Sequence, residues 1–209
     1  MPGPLRFQIS PSLTMTEIRG APLGFTLTEL LLTLAVAATL AGMAVPLASS
    51  TVDEIRTAAA ARHLASRVAG ARIDAVRRSA ATALKFEAEG PDYRYTSHLD
   101  LNGNGVRTAE IRQGVDATLT APERLRDKNP GAVFGLMAGI PDLDGSQGNE
   151  DGVRVGTSKI LSLSPNGSST SGTLYLHGRR SQFAVRVFGA TGRARVFQYD
   201  TGANRWNSR

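Results

Sequence analysis

Between Phe25 and Leu47 the chain carries one ionisable side chain, Glu29, in a long run of apolar, small and threonine residues that closes on Pro46. A helix needs about 20 such residues to cross the hydrocarbon core of a bilayer, so the run predicts a membrane-crossing helix. A secretory signal peptide fits less well. Its apolar region spans about 7–15 residues and ends at a small-residue cleavage site, whereas this run is longer and holds an acid inside it. The preceding residues, with Arg6, Glu17 and Arg19, read as a mildly basic cytoplasmic leader. An ionisable group inside a membrane helix is costly and usually signals a partner. Proline lacks the backbone N–H and clashes with the preceding turn, so Pro46 predicts a kink or soft point near the membrane edge.

The remainder is different material. A hydrophobic fraction of 41% in 209 residues is enough for a packed core. No cysteine is present, which excludes disulfides, zinc–thiolate sites and a cysteine nucleophile. After Pro46, "EIRTAAAARHLASRVAGARIDAVRRSAATALKF" is rich in strong helix formers. Leu64, Val68, Ala71 and Ala75 recur at helical spacing, with Arg67, Arg72 and Arg78 on other faces. The pattern predicts one helix from about Thr26 to Ala80, its second half amphipathic and packed on a sheet, its arginines solvated.

Beyond the helix, "TALKFEAEG" and "YRYTSHLDL" alternate apolar and polar residues around Gly90-Pro91, a hairpin signal. The runs "KILSLSPNGSSTSGTLYLHG", "SQFAVRVFG" and "RARVFQYD" read as further strands, with tight turns at Asn166-Gly167 and Thr191-Gly192. The expected fold is α+β: a long N-terminal helix, transmembrane in its first half, packed on an antiparallel β-sheet domain.

The segment "GFTLTELLLTLAVAATLAGMAVP" resembles the N-terminal segment of type IV pilins and type II secretion pseudopilins. The matching features are Gly24, the aromatic Phe25, Glu29 four residues on, the apolar helix and Pro46. The resemblance implies that a prepilin peptidase cuts between Gly24 and Phe25 and methylates the new amino terminus. It also implies that Glu29 pairs with the terminal amine of a neighbouring subunit, and that Pro46 eases passage from bilayer to filament. The order "ILSLSPNGSSTSGTLYL" then "FAVRVFGATGRARVF", and "ARIDAVRRS" leading into a strand, is similar to the GspH/FimT group of minor pilins and pseudopilins. The implied organisation is a leader at 1–24, a transmembrane and filament-core helix at 25–47, its amphipathic continuation at 48–81 and an antiparallel β-sheet domain at 82–209. The implied setting is the bacterial inner membrane, single-pass, with the globular domain outside the cytoplasm. Other pilin or pseudopilin subunits and an inner-membrane assembly platform are the implied partners.

The net charge of +6 lies wholly in the last 36 residues, where seven arginines face one acid, Asp200. Arg179, Arg180, Arg186, Arg193, Arg195, Arg205 and Arg209 are accompanied by Phe197, Tyr199 and Trp206. Arginines neutralise phosphates and aromatics stack on exposed bases. In the FimT branch a "GRxR" string with a basic tail is linked to DNA capture, and "GRAR" at Gly192–Arg195 matches it. Alternation also fits a plain solvated or subunit-contacting face, with Arg193, Arg195 and Phe197 on one side of a strand and Ala194 and Val196 on the other.

In "DLNGNGVRTAEIRQGVD", Asp100, Asn102 and Asn104 sit at alternate positions before Gly105, as in a calcium loop. Glu110 stands at the eleventh position instead of the twelfth, and Asp116 is a substitute from outside the loop. A polar turn between strands is the competing reading. A second acidic stretch, with Asp142, Asp144, Glu150 and Asp151, reads as a solvated loop. No cofactor beyond calcium is implied. His63, His98 and His177 lie in unrelated contexts without zinc or general-base spacing, and no nucleophile elbow or P-loop occurs. A structural subunit is therefore expected in place of an enzyme.

Overall fold

A computed structural model describes residues 24–209, the side chains of 43–49 excepted. The leader expected over 1–24 thus lies outside the described residues up to position 23, and Pro46 lies among the excepted side chains. The chain divides into two compact units, the first ending at Ala44 and the second running Val45–Arg209.

Helix α1 covers Leu27–Arg78. It begins on a threonine cap, the Glu29 N–H donating to Thr26 Oγ1 at 3.2 Å. It ends in a Schellman arrangement. Ser79 takes a left-handed φ of 50°, and Ser79 N and Ala80 N donate to Val76 O and Ala75 O. Arg77 and Arg78 in the last turn complement the helix dipole. In the first unit the described side chains of the apolar run stop at Gly42. Among the described residues no helix is long and apolar enough to cross a membrane.

The second unit builds two antiparallel sheets where a single one was expected. The first holds β1 (Thr82–Glu89), β2 (Asp92–Leu99), β3 (Ala117–Thr118), β4 (Glu123–Arg124) and β7 (Ile160–Leu163). The second holds β5 (Val133–Phe134), β6 (Val153–Arg154), β8 (Gly172–His177), β9 (Gln182–Phe188), β10 (Arg193–Asp200) and β11 (Arg205–Ser208). Two short helices, α2 (Thr108–Gln113) and α3 (Leu125–Lys128), lie in the connections. The division falls after β7, which pairs with β1. The turn at Asn166-Gly167, where Gly167 has φ of 87°, then passes the chain to β8, whose partners are β9, β5 and β6.

The inner faces of both sheets close on one stripe of α1. Leu64, Val68 and Ala71 pack with Leu84, Phe86 and Tyr95 of the first sheet and with Leu174, Phe183, Val185 and Val187 of the second. Ala60 and Ala61 keep the helix surface shallow at this contact. The outer face of the second sheet is covered as well: Tyr175 and Ala184 pack with Leu136, Ile140, Leu143, Phe197 and Trp206. That second cover explains why β9 is buried on successive residues and does not alternate between core and solvent.

Candidate functional site

Of the N-terminal features read from the sequence, Gly24, Phe25 and Glu29 fall on described residues. At the start of the first unit Gly24 has open space around it, and Phe25 is 77% exposed. Glu29 sits in the first turn of α1, exposed, where the positive end of the helix dipole favours an acid. Around it Leu27, Leu30, Leu31, Leu32, Leu34, Val36 and Leu40 all expose most of their surface. An apolar surface on every side of a helix is stable only in apolar surroundings.

The C-terminal arginines form two groups. Arg179 and Arg180 lie in the β8–β9 turn and Arg205 follows the β10–β11 turn, whereas Arg193 and Arg195 follow the β9–β10 turn at the other end of the strands. Eight residues of β10 separate the two ends by roughly 25 Å. All of these side chains are exposed. Arg195 faces Arg186 across the ladder and lies over the Phe188 ring, 5.7 Å from its centroid. Arg209 donates to Gln198 Oε1 at 2.7 Å. Among the described residues Arg179, Arg180, Arg193 and Arg205 form no ion pair.

Two expectations for this surface need correcting. Arg186 is not free: it binds Asp144 through two hydrogen bonds of 2.7 and 2.8 Å. The aromatics are committed to packing. Trp206 donates to Pro141 O at 3.0 Å and packs against Tyr175 and Tyr199, and Phe197 joins the same cluster. Tyr199 is buried, and Phe197 and Trp206 are only partly exposed, which leaves little ring surface for base stacking.

The acidic stretch is likewise not simply solvated. Asp142 pairs with Arg154 at 3.0 Å and accepts the N–H groups of Asp144 and Ser146, and Asp151 binds Lys159 and the Tyr93 hydroxyl. Glu150 contributes its carbonyl to Leu136 N. Asp142 thus ties its turn to Arg154 of β6 in the second sheet, while Asp151 reaches Tyr93 of β2 in the first.

The Asp/Asn loop is a hydrogen-bonded turn between β2 and α2. Asp100 is buried and accepts three backbone N–H groups, from Asn102, Gly103 and Gly105, at 2.7–3.1 Å. Asn102 and Asn104 both donate to the Glu110 carboxylate, at 3.3 and 2.8 Å. Gly105 has φ of 87°, a conformation that favours glycine at this bend. Among the described residues no group of three or more histidine and acidic side chains is drawn together to hold a metal ion.

Other polar contacts were not visible in the sequence. The Asp53 carboxylate on α1 accepts the N–H groups of Arg179, Arg180 and Ser181 and the Ser181 hydroxyl, at 2.8–3.2 Å. Burial raises its pKa, but the backbone donors from Arg179 and Arg180 and the Ser181 contacts outweigh that and leave it lowered. Gly178 is required there, since a Cβ would stand 2.4 Å from Asp53 Oδ1 and Thr57 Oγ1. The helix arginines also depart from a solvated face. Arg67 pairs with Glu123 at 2.7 Å, and Arg72 lies beneath the Gly167 and Gly192 turns.

Glu123 also accepts the Tyr95 hydroxyl at 3.3 Å and lies 3.8 Å from His63 Nε2. His98 lies beside Thr118, and His177 Nδ1 donates to Gly178 O. The three histidines therefore stand apart. No local periodicity marks these contacts, because the partners are up to 128 residues apart.

Over 81 residues the chain is 41% identical to the pilin-like protein PilA1 of Thermus thermophilus. The stretch is 39% of this chain and 50% of the relative, so the chain spans about half the length of the curated relative it matches. No protein-family model matches the chain. No solved structure matches it.

Proposed function

We propose that the chain is a minor pilin or pseudopilin, a structural subunit of a type IV pilus or type II secretion filament, within the GspH/FimT group. In this reading a prepilin peptidase removes the leader at Gly24 and methylates Phe25. The segment 25–47 waits in the inner membrane, and an assembly platform moves it into a filament of pilin-like subunits, in its initiating or tip complex. The globular domain stands outside the cytoplasm. Its work is assembly, with no chemical step.

The observation that carries the reading is the first unit's helix, apolar on all sides with one acid in its first turn. Such a helix requires apolar surroundings, and a carboxylate there requires a cation to offset its desolvation. A neighbouring subunit's amino terminus supplies one. The similarity to a pilin-like protein supports the same class. The test is Glu29→Ala in a strain that assembles the filament. Membrane-fraction levels stay unchanged while the sheared filament fraction loses the subunit. Normal assembly overturns the pairing role.

A second reading is DNA capture for uptake. The exposed, unpaired Arg193 and the exposed Arg195 favour it. With the aromatics packed away, contact would be electrostatic and directed at phosphates.

A further inference from the structure

We propose that the outer face of the second sheet recognises an acidic segment of a partner protein. Arg186 and Arg195 are the receiving pair, and Asp144 holds the place of the partner's carboxylate. The proposal goes beyond the assembly and DNA readings and rests on neither.

Cross-strand register builds the site. Arg154 of β6 pairs with Thr173 of β8, Thr173 with Arg186 of β9, and Arg186 with Arg195 of β10. The row stands two residues from Tyr175, Ala184 and Phe197, which belong to the outer cluster. Side chains two residues apart share a face, so the row lies on the outer face as well. Beside it opens a cavity of about 600 Å³, lined by Asp144, Arg154, Thr173, Tyr175, Arg186 and Phe188. Arg186 and Arg195 are directly opposed, and like charges so placed destabilise a sheet unless an anion joins them.

The three arginines differ in what they have left to give. Arg154 is committed: it donates to Asp142 Oδ2 and to Asn149 O and lies over the Tyr175 ring, 4.8 Å from its centroid. Arg186 spends its fork on Asp144. Arg195 is exposed, lies over the Phe188 ring and, among the described residues, forms no ion pair. Asp144 therefore neutralises one of two opposed guanidinium groups and leaves the other bare.

Asp144 is free to give way. Its side chain is 62% exposed, and exposed ion pairs contribute little to stability. Its turn is held by Asp142, whose carboxylate accepts the N–H groups of Asp144 and Ser146 and whose carbonyl accepts that of Gly145. Among the described residues the Asp144 carboxylate hydrogen-bonds Arg186 alone. An incoming carboxylate can take the Arg186 fork without undoing the turn, and a second one on the same segment meets Arg195.

The chemistry favours an acidic peptide over a nucleic acid. The group already held is a carboxylate, in the two-bond geometry that arginine offers it. Base stacking has little to use, since Arg195 lies over Phe188 and Arg154 over Tyr175, which also packs on Trp206.

The test uses the full chain in detergent at low salt. A fluorescent oligoglutamate peptide is the probe, oligothymidylate of equal charge is the comparison, and fluorescence anisotropy is the readout. Oligoglutamate binds saturably, and Arg186→Gln and Arg195→Gln each weaken it about tenfold. Asp144→Asn, which removes the internal competitor, tightens it severalfold. Glu54→Gln removes the same charge on α1 and leaves the affinity near that of wild type. Should Arg186→Gln fail to fold, Arg195→Gln and Asp144→Asn, both at exposed positions, decide. No binding of oligoglutamate overturns the proposal. So does an equal gain in Asp144→Asn and Glu54→Gln, the mark of bulk charge alone, or tighter binding of oligothymidylate through the same arginines.

Discussion

The carboxylate of Asp53 accepts the backbone N–H of Arg179 at 2.8 Å, across 126 residues of chain. With Arg180 and Ser181 it closes the β8–β9 turn onto α1 inside the second unit. Hydrogen bonds to a charged group are worth about 1.5–3 kcal/mol each when the alternative is an unpaired donor, and these donors are partly solvated. Asp53→Ala is therefore expected to cost about 2 kcal/mol, read as a drop of roughly 4–8 °C in the unfolding temperature. Asp53→Asn, which keeps an acceptor oxygen, loses less. The folded pKa lies below the ordinary 3.8. The contribution is thus present above about pH 4 and is lost as pH falls through the folded value. Unfolding temperatures of wild type and Asp53→Ala converge in acid.

His63 gives a dependence in a different range. Burial and then the charge of Lys128 lower its pKa below 6.5, against a smaller opposing effect of Glu123. The unfolded chain then binds the proton more readily, so stability rises with pH through this range. The contribution of neutral His63 is complete above about pH 6.5 and is lost as pH falls from there. His98 acts in the same direction, its pKa lowered by burial and then by Lys85. His63→Gln is expected to flatten the slope of unfolding free energy against pH between about 5 and 7, measured by urea titration, and to leave a residual slope from His98.

For DNA, the relevant pair is Arg193 and Arg195. If the electrostatic reading holds, double-stranded DNA shifts with the protein at low salt and releases it as salt rises. Arg193→Ala with Arg195→Ala removes the shift. Arg179→Ala with Arg180→Ala, at the other end of the strands, reduces it less. No shift at low salt removes the DNA reading and leaves the filament role untouched.

Local features of the fold were legible and distant ones were not. The hairpin appears as Thr82–Glu89 and Asp92–Leu99 because alternation and Gly90-Pro91 act within a few residues. Leu64, Val68, Ala71 and Ala75 are buried as their spacing required. The calcium-like spacing was visible for the same reason, and only the fold shows that its side chains are spent on hydrogen bonds within the turn. The separation into two sheets depends on β7 choosing β1, about eighty residues earlier. The partnership of Arg67 with Glu123 spans 56 residues, so Arg67 looked like any arginine on a solvated helix face. Trp206, placed by a hydrogen bond to Pro141, looked like a free ring beside arginines. Composition is the same in each alternative; only tertiary pairing separates them.

The most direct test of the filament-subunit account is the mass of the mature chain. Protein recovered from the membrane of a host with an active prepilin peptidase is analysed intact and by N-terminal peptide sequencing. The account predicts a chain that begins at Phe25 and carries one methyl group on its amino terminus, and a Gly24→Val variant that keeps its leader. A wild-type chain that retains the leader in that host, or is cut at another bond, contradicts it.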